Sequence, residues 1–264
     1  MIQILKVELN EISSLRFDYL DSLIEFQELF LEMFIDDSTI YKIEFNGNLI
    51  GYSIITVDNI LIEFYIIDKY VPICSDAFQF IVNELAIQTI YCKSFDSLLL
   101  NCCFINSYPY TLIGSLYRNY VTTDKFTMDN MTIRFAEEKD YIFLLQQKGE
   151  LYETPEELKR FVNGNNIIMF FRDSQLLGCG YLIKVHDHYN YFDIGMWVNP
   201  DFRNQGIATM IISYLKETCI INNWIPICGC AIENVASQRT LEKNGFISKH
   251  KLIKFTIHNT NTSN

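Results

Sequence analysis

The sequence predicts an α/β protein of two domains, each a mixed central sheet with helices on both faces. Three observations carry this. Each half reads as a meander of apolar, β-prone runs that gives way to alternating helix and strand, the pattern of a mixed sheet covered on both sides. The second half repeats the order of the first: Ile67 set against Val198 gives an offset of 131, and Asn106 set against Asn234 gives 128. A polar, turn-rich stretch, VTTDKFTMDN (121–130), separates the two. The expected domains are 1–124 and 131–257, with 258–264 (HNTNTSN) as a disordered tail.

In the first half, YKIEF (41–45), an Asn46-Gly47 turn, LIGYSIITV (49–57), a turn at Asp58-Asn59 and ILIEFYII (60–67) form the meander. A helical run is expected over about 75–91 and a strand over LLLNCCFI (98–105). In the second half, MTIRF (131–135) reads as a strand, followed by an acidic helix start at Ala136–Asp140. Thr154-Pro155-Glu156-Glu157 opens a helix with an N-cap, a proline at the first position and a carboxylate three residues on. IIMFFR (167–172), a turn at Asp173-Ser174, LLGCGYLIKV (176–185) and YFDIGMWV (191–198) make the second meander. A helix over 208–220, a strand IPICGCAI (225–232), a helix SQRTLEK (237–243) closed at Asn244-Gly245, and a strand FISKHKLIKFTI (246–257) complete it.

The totals bound the function. Of 264 residues, 49% are hydrophobic and 20% charged, enough for packed cores. No apolar run nears the ~20 residues that cross a bilayer. The start, MIQILKVELNEISS, carries acidic residues where a signal peptide needs a basic start, so a cytoplasmic location is expected and no membrane association. The net charge of −11 argues against nucleic-acid binding, which needs clustered Lys and Arg. It fits simple solubility or an amine-bearing substrate. The eight cysteines include Cys102–Cys103 and Cys228/Cys230 in β-like runs, without CxxC spacing, and read as reduced, mostly buried thiols rather than a zinc or disulfide framework. No metal is expected.

One loop bears chemistry. Between the 191–198 strand and the helix stands VNPDFRNQGIA (198–208). Pro200 and Asp201 suit an ordinary turn. Gly206 at the start of a helix also suits an anion cradle, in which unpaired N–H groups and the positive end of the helix dipole meet a phosphate. With so acidic a chain, a polyphosphate would have to be held by such backbone dipoles and a few local cations. The first half has PICSDA (72–77) at this point, where Pro72, Ser75 and Asp76 oppose a phosphate.

These residues resemble the GNAT superfamily of acyl-CoA-dependent N-acyltransferases. Its central motif, Arg/Gln-x-x-Gly-x-Gly/Ala, matches Arg203-Asn204-Gln205-Gly206-Ile207-Ala208. Its downstream Asn-x-x-Ala/Ser, then a helix closed by Gly-Phe, matches Asn234-Val235-Ala236-Ser237 and Asn244-Gly245-Phe246. The resemblance covers about 131–257; residues 1–120 resemble the same fold in order only, and the whole is similar to tandem GNAT proteins. It implies acetyl-CoA as cosubstrate, with its pyrophosphate on the backbone of Arg203 to Ala208 and on to Thr209. Pantetheine would lie along Met196, Trp197 and Val198, and reach Asn234 directly or through water. It implies transfer of acetyl to an amine of a small molecule or peptide in a ternary complex. The other class left open is a CoA-binding or scaffolding protein that keeps the cradle without turnover.

Transfer to an amine needs a base and a donor for the leaving thiolate. Asp193, in Asp193-Ile194-Gly195-Met196-Trp197, stands where ribosomal-protein-type relatives carry Glu in E-I-G-x-W. It is either the base, with a carboxyl raised by apolar neighbours, or a structural carboxylate. Glu233 is the alternative base or a contact for a cationic substrate. Many relatives have an acid-catalyst Tyr where this chain has Leu241; Ser237 either replaces it or caps the helix with its hydroxyl. His186-Asp187-His188 reads as a solvated hairpin turn. Tyr108 and Tyr152 lie in segments that could line a pocket. The resemblance implies an acceptor pocket built by the region of about 140–163 and by neighbouring domains. The first domain is expected to bind no CoA, and the chain is expected to be a monomer, a pseudo-dimer within itself, or a weak homodimer.

Overall fold

The computed structural model describes residues 1–127, 129–146, 152 and 154–258. The elements in the first stretch of chain are β1 (Ile2–Val7), α1 (Ser13–Ser22), α2 (Leu29–Glu32), β2 (Thr39–Phe45), β3 (Asn48–Ile55), β4 (Ile60–Ile66), α3 (Cys74–Glu84), β5 (Thr89–Lys93), α4 (Ser97–Ile105) and β6 (Tyr110–Tyr117). There follow β7 (Asn119–Tyr120), β8 (Met131–Phe135), α5 (Tyr141–Leu145), α6 (Pro155–Asn163), β9 (Ile167–Arg172), β10 (Gln175–Lys184), β11 (Tyr191–Val198), α7 (Ile207–Ile221), β12 (Ile225–Ala231), α8 (Val235–Lys243), β13 (Phe246–Ile247) and β14 (His250–Thr256). Among the described residues no helix is long and apolar enough to cross a membrane.

The chain divides into two compact units, Met1–Leu116 with the segment from His250 onward, and Tyr117–Lys249. In the first unit the strands lie in the order β1-β2-β3-β4-β5-β14-β6. All neighbours described are antiparallel except β4 and β5. Its core joins Ile43, Ile50, Phe64, Phe78, Ile90, Leu99 and Phe255. A polar network is buried beside it. The Arg16 guanidinium donates to both Glu32 (2.6 Å) and Glu63 (3.0 Å), Gln27 Nε2 and Tyr52 Oη donate to Glu63, and Lys93 Nζ donates to Gln27 (2.8 Å). Burial works against ionised Glu63, but Arg16, Lys93 and Tyr52 outweigh it and hold the carboxyl below its ordinary range.

In the second unit the order is β8-β9-β10-β11-β12, with β9, β10 and β11 as the antiparallel meander and β11 parallel to β12. The helix α7 packs on this sheet through Ile207, Ile211, Ile212 and Leu215. Gly180 permits the approach: a β-carbon there would stand 2.9 Å from Leu215 Cδ1 and 3.1 Å from Ile211 Cγ2. Thr154 N-caps α6 by accepting from the Glu157 N–H (3.2 Å) as its sequence requires.

Four expectations change. Residues 75–91, expected as one helix, end at Glu84 and return as the strand β5. Residues 98–105, expected as a strand, form α4, so Cys102–Cys103 is helical. Leu99, Cys102 and Cys103 face the core at helical spacing and Asp96 caps the first turn by accepting from the Leu99 N–H. The residue that matches Asn234 as a helix cap is therefore Asp96, not Asn106, which lies at the end of α4. Residues 246–257 are two strands: β13 pairs with β7, whereas β14 leaves the second unit and pairs with β5 and β6 of the first. The tail expected over 258–264 lies, from 259, outside the described residues, as do 147–151 and 153 of the region expected to build the acceptor pocket.

Candidate functional site

The strand β11 and the helix after it build the site. Its ladder to β12 runs through Tyr191↔Ile225, Phe192↔Pro226 and Asp193↔Ile227. Ile194–Val198 lie beyond that ladder while still pairing with β10 up to Gly178↔Val198. The two parallel strands thus part at Asp193, which leaves an edge of β11 backbone facing a cleft. Alternation settles the side chains. Ile194 belongs to the core with α7, and Phe192, Met196 and Val198 pack against that core half-buried. Asp193, Gly195 and Trp197 face the other side, where Tyr181 meets Phe161 of α6 at 6.1 Å. Asp193 is half-buried there; Trp197 is buried.

Beyond Val198 the chain turns. Asn199 accepts from the Asp201 N–H (3.2 Å) and donates to the Leu176 carbonyl (3.0 Å), which holds the Pro200–Phe202 turn against the meander. Arg203 folds back and donates from Nε to the Val198 carbonyl (3.1 Å). Asn204 and Gly206 are left-handed, with φ of 63° and 81°. Arg203, Asn204, Gln205 and Gly206 are exposed. The first backbone bond of the helix runs from the Met210 N–H to the Gly206 carbonyl (3.1 Å). The N–H groups of Ile207, Ala208 and Thr209 therefore precede the ladder and point out of the helix start, at the positive end of its dipole. The Ile207 and Thr209 side chains are buried, so these two positions offer backbone alone.

At the far wall, Asn234 caps α8: its side-chain oxygen accepts from the Ser237 N–H (3.0 Å). Ser237, expected either as proton donor or as cap, is the third residue of the helix and half-buried; the cap is Asn234. Glu233 is an exposed carboxylate in the turn before it. Leu241 is buried against α7 and Phe246 and points into the core. One group escaped sequence reasoning. Tyr117 is 1% exposed in the same core and hydrogen-bonds with Cys230, the one half-exposed cysteine, on the part of β12 beyond the ladder. Burial, then the Cys230 and Cys228 thiols and Glu242, push its phenol up and keep it protonated. No motif flags a tyrosine at that position.

The remaining candidates separate. His186 and His188 share a hairpin turn in which the His188 N–H donates to His186 Nδ1 (3.2 Å), and no metal-holding cluster occurs among the described residues. Tyr152 donates to the Leu145 carbonyl, and Tyr108 packs on the first unit's core. The corresponding turn of the first unit has a different build. A 3-10 segment, Asp68–Ile73, runs into α3 through Ile73 at φ −106°, and no left-handed residue interrupts it.

Comparison with known proteins gives the family and the fold. A family profile described as an acetyltransferase (GNAT) domain matches residues 8–120, and one described as the acetyltransferase (GNAT) family matches 130–246. No curated protein matches the sequence. Among solved structures, a GNAT-family acetyltransferase from Colwellia psychrerythraea is 19% identical, with a TM-score of 0.87 over 97% of this chain and 100% of that one. A tandem GNAT protein from the clavulanic acid biosynthesis pathway is 8% identical, with a TM-score of 0.64 over 97% and 98%. A GCN5-related N-acetyltransferase from Sphaerobacter thermophilus is 10% identical, with a TM-score of 0.57 over 82% and 79%. At these identities the structures share the fold.

Proposed function

The chain belongs to the GNAT acetyltransferases as a tandem of two such domains, and from that premise we propose that the second unit transfers acetyl from acetyl-CoA to a primary amine while the first binds no CoA. The observation that supports this best is the parting of β11 from β12 at Asp193, directly before a left-handed Gly206 at a helix start. The cleft and the cradle are contiguous along one strand and one loop. The backbone from Arg203 to Thr209 would hold the pyrophosphate and the Met196–Val198 backbone beyond the β12 ladder the pantetheine, with Asn234 at the opposite wall. When bound, the cosubstrate supplies the activated acetyl group. The residues of this chain do the rest. A β11 N–H in the open edge aims a donor at a carbonyl oxygen, a kind of contact that lowers a barrier by roughly 3 kcal/mol. Asp193, on the face covered by α6, takes the proton from the attacking amine; the C–S bond breaks as the C–N bond forms, and water protonates the departing thiolate.

The test is to incubate the protein with acetyl-CoA and an amine panel and follow free thiol, alongside calorimetric titration with CoA. One CoA per chain and amine-dependent thiol release are expected. Gly206→Asp should abolish both, since it places a carboxylate against the phosphates and forces a side chain into a left-handed position. Unchanged affinity in that variant, or a second CoA site, defeats the proposal. CoA binding with no thiol release from any amine points instead to a binding protein, the reading that the buried Leu241 favours.

A further inference from the structure

The first unit keeps a parting of parallel strands and lacks the phosphate loop. β4 and β5 pair through Ile60↔Thr89 and Leu61↔Ile90, and beyond them the ladder ends. A cavity of about 260 Å³ opens beside the diverging segment, lined among others by Tyr19, Tyr65, Asp68, Asp96, Leu98 and Asn101. Crevices at the carboxyl ends of such strands are where open α/β sheets take ligands.

The chemistry of the walls selects the ligand. No Lys or Arg lines the cavity. Behind the wall, the buried network sets two cations, Arg16 and Lys93, against three carboxylates, Glu32, Glu63 and Asp96. Asp96 is 2% exposed; its Oδ2 accepts from Tyr19 Oη (2.7 Å) and lies 3.9 Å from Lys93 Nζ. Its Oδ1 accepts from the Leu99 N–H, so the helix start that would otherwise favour an anion is already met by a carboxylate. Asp68, in the lining, and the exposed Asp18 both act on the Tyr65 phenol, which burial and these charges keep protonated. The Tyr65 ring is braced by Tyr19 at 6.1 Å and Tyr52 at 5.9 Å, and ring faces attract cations. An anion meets repulsion here. A cation balances the surplus carboxylate.

We propose that this cavity binds a small organic amine as its ammonium ion, with the charge toward Asp96 and Asp68 and the apolar body along Phe64, Tyr65 and Leu98. An apolar cavity of ~150 Å³ accepts a benzene ring, so this one holds a ring with a short aminoalkyl chain. The site is separate from the cleft of the second unit and stands or falls apart from it.

The experiment uses the full chain carrying Gly206→Asp, so that the second unit's cradle is disabled. It is titrated with 2-phenylethylamine, with 2-phenylethanol as the neutral isostere and phenylacetate as the anion. The amine should bind saturably, and the alcohol and the acid roughly tenfold more weakly or worse. Hydrogen exchange should slow at 62–71 and 95–101. Asn101→Trp, at an exposed helical position that lines the cavity, should fill it and remove binding. Asp68→Lys, also exposed, should weaken the amine several-fold without unfolding the chain. The proposal is overturned by an alcohol that binds as tightly as the amine, by absence of saturable amine binding, by protection elsewhere in the chain, or by full affinity in Asn101→Trp.

Discussion

Asp193 occupies the last rung that joins β11 to β12, opposite Ile227 on one side and Ile183 on the other. Its backbone is fixed by two neighbours while its side chain faces the α6 side of the sheet, half-buried, next to the point where the cleft begins. A base so placed is held by the sheet rather than by a loop. Asp193→Asn keeps the shape and removes the proton acceptor. It should lower kcat by about 10²–10⁴-fold, leave acetyl-CoA affinity within about twofold, and abolish the acidic limb of the kcat/KM profile. Steady-state rates across pH in a low-salt buffer series check this, and an unaltered limb moves the role to Glu233. At this scale the sequence was informative where chemistry demands a residue type. Gly206 is left-handed and Asn234 caps its helix, and few other side chains serve in either place. Tyr117 was invisible because its position depends on a strand that no local pattern ties to Cys230.

Elements built from half-buried strands and capped helices were readable for the same reason that they are stable: period-2 alternation, turn residues and caps agree with the packing. LLLNCCFI was not, because the run stays apolar even where it is exposed, at Phe104 and Ile105, and so shows no period, and only the Asp96 cap distinguishes its helix from a strand. The buried network of the first unit lay equally out of view, since Arg16, Glu32, Glu63 and Lys93 come from four elements. It sets that unit's stability. Arg16 is 5% exposed and joins α1 to β4 through Glu63. Arg16→Met leaves Glu63 a buried carboxylate without its main cation, which should cost about 3–5 kcal/mol at pH 7. The sign of the pH dependence follows. In the wild type Glu63 is held below its ordinary range, so its contribution is complete above the ordinary carboxylate range and fades as pH falls through the folded pKa. Glu32 and Asp96, raised chiefly by burial, contribute in the opposite sense. In Arg16→Met the largest influence opposing burial is gone while Lys93 and Tyr52 remain, so Glu63 takes up a proton more readily as pH falls, and the loss relative to wild type should shrink toward pH 4–5. Urea unfolding followed by far-UV circular dichroism at both pH values measures it; an equal loss at both would remove Glu63 from the account.

For the molecule as a whole, the order of strands along the chain is not the order of folding units. The repeat of meander and alternation was legible, because each copy must bury its own sheet. Which unit the last strand joins was not, because a strand's partner is a long-range choice that alternation does not encode. β14 lies between β5 and β6 and is bonded on both sides. Leu252, Ile253 and Phe255 are buried, with Phe255 at 0% exposure in the first core. Removal of an interior strand strips backbone partners from two others and deletes three buried apolar side chains, each worth about 2–5 kcal/mol. That total exceeds the stability of a typical domain, about 5–15 kcal/mol, or consumes most of it. A chain ending at Lys249 should therefore lose the fold of residues 1–116. The second unit, Tyr117–Lys249, keeps all its described strands, β13 on β7 included. Both tryptophans, Trp197 and Trp224, lie in it, so their fluorescence reports that unit alone. In the truncated chain the tryptophan transition should survive while hydrogen exchange over β2–β5 becomes fast. By the same logic the first unit, although made first, closes only after the second has been synthesised, and its protection should appear late in refolding of the full chain. Slow exchange over β2–β5 in the truncated protein would show that β14 decorates the first unit rather than completes it.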